Sequence, residues 1–318
     1  MSRQISLENS VDEALAGLRL DQVAAKLFPD YSRARLQQWI KQGALTVNGS
    51  QTKVSARLTG GEVLRVEAQL IAEGEVLPQD IPLDVLFEDA HLLVVNKPSG
   101  LVVHPAAGNW DGTLQNALLN FDRELDTIPR SGIVHRLDKD TSGIMVVARS
   151  LKAHASLVNQ LQVRSMSRIY EALVKKDIPP AGTINAAIDR SSRNRKKMAV
   201  IQSGRPATSH YRLLQRLPGS SHIEVSLESG RTHQIRVHMT HIGYPIVGDL
   251  LYGRGPIRQK GLPAAAVTAI NNFPRQALHA RTLKLIHPDS GEECEFHAPL
   301  ATDMIELIDT LKNANTGD

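Results

Sequence analysis

A chain of 318 residues, 42% hydrophobic and 22% charged, suits one large domain or two and has the balance of a globular protein with a real core. Aromatics make up only 4%, so that core must be largely aliphatic, and a net charge of +4 leans weakly toward a polyanionic partner. One cysteine, Cys294, excludes a disulfide framework or a cysteine-based zinc site; no apolar run nears the roughly 18 residues of a membrane span, and no apolar stretch follows a basic start at the N-terminus, so a reducing, cytoplasmic setting without membrane contact is expected.

Residues 1–17 read as an N-terminal extension, with a short strand over 3–8. Leu18, Leu20, Val23, Ala24 and Leu27 recur at helical spacing until Pro29. Ser32 is a good N-cap for a second helix over 33–41, Gly43 a good stop, and Leu36 and Ile40 face inward one turn apart. A strand over 44–47, a turn at Asn48-Gly49 and a strand over 63–66 complete a module spanning 18–66. Trp39 is expected in its core. Arg33, Arg35 and Lys53 lie among its basic residues, yet 11–70 holds eight Lys/Arg against six Asp/Glu, which alone predicts only a solvated face. Residues 67–84 carry Glu67, Glu73, Glu75, Asp80 and Asp84 without Lys or Arg, and Pro78 and Pro82 keep the chain extended, so an acidic linker is expected there.

Residues 85–318 read as one larger domain. Strands are expected over 83–87, 92–95, 101–103, 143–148, 169–174, 211–214, 223–227 and 278–285. Helices are expected over 114–120, from Ser150 to about 161, from Thr232 to 241 and over 302–311. Strands and helices mix without regular βαβ alternation, which predicts an α+β fold. Residues 181–217 hold eight Lys/Arg against one Asp, and the loop bearing Arg193, Arg195, Lys196 and Lys197 is dense enough to expect a nucleic-acid contact.

Between two apolar runs lies His135-Arg136-Leu137-Asp138-Lys139-Asp140-Thr141-Ser142-Gly143, two carboxylates and several basic groups in one tight connection. His-Arg-Leu-Asp-x-x-Thr-Ser-Gly resembles the signature of the RNA pseudouridine synthases that act on ribosomal RNA. Val95-Asn96-Lys97-Pro98-Ser99-Gly100-Leu101, Tyr170-Glu171-Ala172-Leu173-Val174 and Gly230-Arg231-Thr232-His233-Gln234-Ile235-Arg236 resemble that family in the same order, and 18–66 resembles the S4 RNA-binding module. The resemblance implies a catalytic domain with a mixed, largely antiparallel sheet. It implies Asp138 as the catalytic carboxylate, Arg231 as its cationic partner (Arg136 and Arg236 being the alternatives), and Tyr170 packed against the target base. Arg136 would help hold the flipped nucleotide, Arg33, Arg35 and Lys53 would contact phosphates, and Lys97 and His104 would support the pocket or touch RNA. It implies a large-subunit ribosomal RNA substrate, at the domain IV stem-loop facing the decoding centre, no cofactor or metal, and a monomer.

Two other classes compete. His233, His238 and His241 evoke a metal hydrolase, but His233 lies well round the helix from the other two and no Glu follows the first His as in His-Glu-x-x-His. A pure RNA-binding or assembly protein would use the basic surfaces but would not need Asp138, Tyr170 and Arg231 together.

Overall fold

The computed structural model describes residues 3–29, 31, 33–70, 76–106, 109–195, 197–253, 255–257 and 260–314, apart from the side chains of 3, 4, 34, 35, 69 and 70. The Ser32 cap and Lys196 therefore lie outside the described residues. The chain divides into two compact units, Met1–Glu75 and Val76–Asp318.

In the first unit β1 (Arg3–Ser10), β2 (Leu45–Val47) and β3 (Val63–Leu70) form an antiparallel sheet in the order β1-β3-β2, with α1 (Leu20–Leu27) and α2 (Arg33–Gln42) supplying the rest of the core. Leu20, Leu36, Ile40, Leu45 and Leu64 are fully buried, and Trp39 packs among them with its ring 4.9 Å from that of Tyr31. Asn48 and Gly49 take φ of 49° and 77°, and Val47 and Ser50 exchange both backbone hydrogen bonds across them, the geometry of a two-residue type I′ turn.

The strand expected over 3–8 is present as β1, and it pairs along the whole of β3, from Arg3 opposite Leu70 to Ser10 opposite Val63. That partner extends β3 through 67–70, part of the expected linker. Glu67 belongs to an alternation in which Leu64, Val66 and Ala68 point inward while Arg65 and Glu67 face solvent. Composition alone reads such an outward glutamate as linker.

Asp21 is the polar keystone of this unit. Its buried carboxylate accepts from Arg19 Nε at 3.0 Å, from Arg33 Nε and Nη2 at 3.1 and 2.6 Å, and from Gln37 Nε2 at 2.7 Å. Burial opposes its ionisation, but the hydrogen bonds from Arg33, Gln37 and Arg19 together outweigh it and hold the carboxyl below its usual range. Arg33, expected on the RNA face, is thus a clamp on Asp21, with half of its side chain still exposed.

In the second unit the described strands form a nine-stranded sheet ordered β4-β5-β6-β13-β7-β12-β11-β8, with β14 beside β13. The strands are β4 (Val85–Glu88), β5 (Leu92–Lys97), β6 (Ser142–Ala148), β7 (Ser167–Lys175), β8 (Ala181–Asn185), β11 (Thr208–Leu217), β12 (Ser220–Leu227), β13 (Leu278–Ile286) and β14 (Glu293–His297). A separate ribbon pairs β9 (Ile188–Arg190) with β10 (Met198–Val200). All neighbours are antiparallel except β6 and β13, so the α+β reading holds. Helices α3 (Leu114–Phe121), α4 (Leu151–Gln162), α5 (Gln234–His241), α6 (Ala264–Asn272) and α7 (Thr302–Asn313) complete the unit. Every residue of β6 is buried, which is why it reads as an unbroken apolar run. Residues 101–103 form no strand; Val102 makes one isolated bridge to Thr113. Helix α6 was not expected: it follows Pro263 without a side-chain cap and buries only Ala266 and Ile270.

Gly143, the second residue of β6, takes φ of 114°, and a Cβ there would collide with the backbone of Ala280 in β13. The parallel pairing of β6 with β13, opposite His279 and Ala280, begins at this point. It holds the end of the preceding loop against the centre of the sheet.

Asp21→Asn is expected to destabilise the first unit by about 2 kcal/mol at neutral pH, the scale of hydrogen bonds to a charged group. Because the folded carboxyl titrates below its ordinary value of 3.8, that stability is present in full above it and fades as the pH falls through the lowered value. Urea melts at pH 7 and pH 3 check this: the gap between wild type and variant should narrow at acid pH.

Candidate active site

The loop 134–141 enters β6 with its backbone pinned from several sides. Lys97, 1% exposed at the end of β5, donates from Nζ to the carbonyls of Pro98, Leu101 and Lys139 at 2.7, 2.9 and 3.0 Å. Burial pulls its ammonium down to about 7, Asp140 and Asp138 oppose that, and three carbonyl acceptors match the three donors of the charged form. The amide of Gly100 also bonds the Lys139 carbonyl, and Arg275, itself gripped by Asp303, reaches the Asp140 carbonyl at 3.2 Å. His135 Nε2 accepts from the Val146 amide at 3.1 Å, and burial drives that imidazole down to about 3.

Within this frame Asp138 is 18% exposed, and its Oδ2 accepts from Arg236 Nη1 at 2.8 Å. Arg236 is buried in the first turn of α5. It donates through Nε and Nη2 to both oxygens of Asp249, at 2.8 and 3.0 Å. Asp249 is 2% exposed and accepts further bonds from the Leu251 and Tyr252 amides. One guanidinium therefore bridges two carboxylates. Burial opposes its charge, yet the bonds and charges of Asp249 and Asp138 prevail and raise its pKa. Asp249 has its own carboxyl lowered, burial again being outweighed by Arg236 and the two amides.

Beside this chain His233 sits in the left-handed region, φ 57°, at the N-terminus of α5. Its Nδ1 is 2.7 Å from the Tyr252 hydroxyl, which accepts from the Met198 amide of β10, and its Nε2 lies 3.8 Å from Asp138 Oδ1. Burial lowers the imidazole against the pull of Asp138. The Arg236 guanidinium stacks 5.1 Å from the Tyr252 ring centroid. Tyr170, in β7, is 7% exposed, and burial raises its phenol.

These groups face a cavity of about 580 Å³ whose wall includes Asp138, Tyr170, His104, Arg130, Arg136, Arg164, Arg168, Arg231 and Arg236. A second cavity of about 380 Å³ shares Arg136, Leu137, Asp138, His233 and Arg236 with it, so Asp138 stands between the two. The basic walls suit a polyanion.

One expectation needs correction. Arg231 lines the cavity but its Nε donates to the Pro206 carbonyl at 3.3 Å, and the partner of Asp138 is Arg236. The choice of Arg231 came from the family resemblance; Arg231 stands before α5, and Arg236 lies within a fully buried run from Gln234 to Met239. A lone arginine inside a buried helical run was the signal available, since such a charge needs a partner. Asp249 and Tyr252 were not singled out at all. His238 is structural, with Nδ1 2.9 Å from Ser209 Oγ and Nε2 2.9 Å from the Ala186 carbonyl. Among the described residues no three His, Cys, Asp or Glu side chains gather in a way that holds a metal. In the basic ribbon Arg193 and Arg195 are exposed, and Lys197 Nζ lies 5.7 Å from the Tyr252 ring. Lys53 is exposed on the first unit, whereas the Arg35 side chain lies outside the described residues.

A family profile for RNA pseudouridylate synthases matches residues 91–241, and one for the S4 domain matches residues 18–64. The chain belongs to the RNA pseudouridine synthase family, isomerases that convert uridine in RNA, and carries an S4 domain ahead of the synthase unit. The ribosomal large subunit pseudouridine synthase D of Pseudomonas aeruginosa is 52% identical over 98% of each chain. That of Yersinia pestis is 48% identical over 98% of this chain and 96% of its own. Among solved structures, human RNA pseudouridylate synthase domain containing 1 superposes with a TM-score of 0.56 at 26% identity, covering 76% of this chain and 97% of that one.

The geometry separates the two arginines by their effect on folding. Arg236→Met strands two carboxylates and is expected to cost about 3–5 kcal/mol. Arg231→Met should stay within about 0.5 kcal/mol of wild type. Chemical denaturation of both variants measures the difference.

Proposed function

We propose that this isomerase acts on large-subunit ribosomal RNA in the cytoplasm, at the domain IV stem-loop facing the decoding centre, with Asp138 as its catalytic carboxylate. The observation that carries the reading is the Asp138–Arg236–Asp249 chain at the wall of a basic cavity. The relatives named for a large-subunit synthase, matched over nearly their whole length, support the choice of RNA.

Conversion of uridine to pseudouridine breaks the bond from C1′ to N1, turns the base, joins C1′ to C5 and shifts a proton from C5 to N1, directly or by exchange with solvent. Atoms and electrons balance within the nucleotide, so no oxidant or cofactor is required. Arg236 occupies Oδ2 of Asp138, which leaves Oδ1 for the reacting nucleotide. Tyr170, on the cavity wall, packs against the base. A uridine in a folded stem-loop must first leave its stack, at a cost of a few kcal/mol. Arg136, exposed at the cavity, helps hold the extruded nucleotide. Arg193, Arg195, Lys196 and Lys197 of the ribbon, with Arg33, Arg35 and Lys53 of the S4 unit, contact phosphates and set affinity rather than sequence. The enzyme works as a monomer away from membranes; no described helix is long and apolar enough to cross one.

Asp138→Asn keeps the shape and most hydrogen bonds but removes the charge. It is expected to lower pseudouridine formation in a transcript of the stem-loop by at least about 1,000-fold, on the scale of covalent and general-base roles. RNA affinity should stay within about threefold. Product yields near wild type would remove Asp138 from the chemistry.

A further inference from the structure

We propose that Arg168 is the anchor for a phosphate flanking the target nucleotide, a role that rests on the reading of the cavity as the RNA site. Arg168 stands two residues before Tyr170 on β7, so the two side chains leave the same face of the sheet, and both line the cavity with Asp138.

Its lack of an ion pair separates it from Arg236 and Arg164, and its buried, unbonded Nε separates it from Arg130, Arg136 and Arg231. Arg236 is held between two carboxylates, and Arg164 has Glu228 at 3.5 Å. Arg168 makes no ion pair with any described residue. Its Nε is shut off from water and meets no acceptor among the described groups. Buried donors in folded proteins are nearly always bonded, so this guanidinium at the cavity wall has donor capacity left unused by the described groups. The guanidinium is also seated deliberately: it lies over Gly230, where a Cβ would come within 2.5 Å of Nη1. A side chain at position 230 would displace it.

The charge decides what kind of acceptor suits that capacity. A uracil carbonyl would accept a hydrogen bond but leave the cation uncompensated in a partly closed site. A phosphate supplies a full negative charge and oxygens spaced for the planar guanidinium fork. The carboxylates nearby are committed elsewhere: Asp138 to Arg236, and Glu228 to His210 and Arg164. With the base against Tyr170, a phosphate at Arg168 would fix the backbone of the extruded nucleotide relative to Asp138.

The test uses the full-length protein and a stem-loop RNA containing the target uridine, in which a neutral methylphosphonate replaces each flanking phosphate in turn. Binding is titrated at several salt concentrations for wild type, Arg168→Met and Arg168→Lys, with melting temperatures as the check on folding. Arg168→Met should bind about 10- to 100-fold more weakly and lose about one unit of salt dependence. Arg168→Lys should recover the salt dependence but only part of the affinity. One of the two methylphosphonates should weaken wild type and leave Arg168→Met unaffected. If Arg168→Met keeps wild-type affinity and salt dependence, or if both methylphosphonates penalise the two proteins equally, the proposal is overturned. Wild-type pseudouridine formation is read in parallel. Failure of the catalytic reading then appears as missing product with the phosphate effect intact, and failure of this proposal as product formed without it.

Discussion

Everything at the site depends on a buried guanidinium shared between two carboxylates. A single Asp–Arg pair in so closed a place would lose much of its Coulomb gain to desolvation. Here Asp249 takes two of the Arg236 donors, and the Leu251 and Tyr252 amides take up the spare lone pairs of Asp249. Arg236 is thereby fixed from behind, and its third donor is presented to Asp138. A group positioned by its own partners needs little rearrangement when substrate arrives, which is the main means by which such sites lower barriers.

The scaffold serves the same end. Asp138 sits in a loop, but that loop has little freedom, because Lys97, Gly100 and Arg275 hold its carbonyls and β6 begins immediately after it. Strand β6 is buried along its whole length and β13 runs parallel to it, so the loop grows from the middle of the sheet rather than an edge. Tyr170 and Arg168 come from β7 on the far side of β13, and Arg236 from α5. Three separate elements thus converge on one cavity. The Tyr252 hydroxyl adds a link from the basic β9–β10 ribbon, through the Met198 amide, to His233 beside Asp138.

What could be read from the chain follows from the range of the interactions. The buried run of β6, the Ser150 cap on the Ala153 amide and the Asn48-Gly49 turn are local, and each appears where its residues predict. The connection between two buried strands was legible from its own residues, which alone favoured a surface turn; its catalytic reading came from the family resemblance. The choice between Arg231 and Arg236 was not, because it rests on a pairing across 98 positions. The strand at 3–8 was legible, but its pairing with β3, and with it the extension of β3 to Leu70, spans the length of the first unit and was not. Helix α6, capped by no side chain and largely alanine on its first turn, carries neither a start signal nor a clear stripe.

The central claim is that Asp249 acts on Asp138 through Arg236 as one unit. A double-mutant cycle of Asp249→Asn and Arg236→Lys, read as the single-turnover rate of pseudouridine formation with RNA saturating, tests it directly. Residues that act as one unit give non-additive losses. The account predicts that the double variant is no slower than the worse single variant by more than about threefold. Two penalties that multiply in full would mean that the residues act independently, and the buried chain would not be what positions the carboxylate.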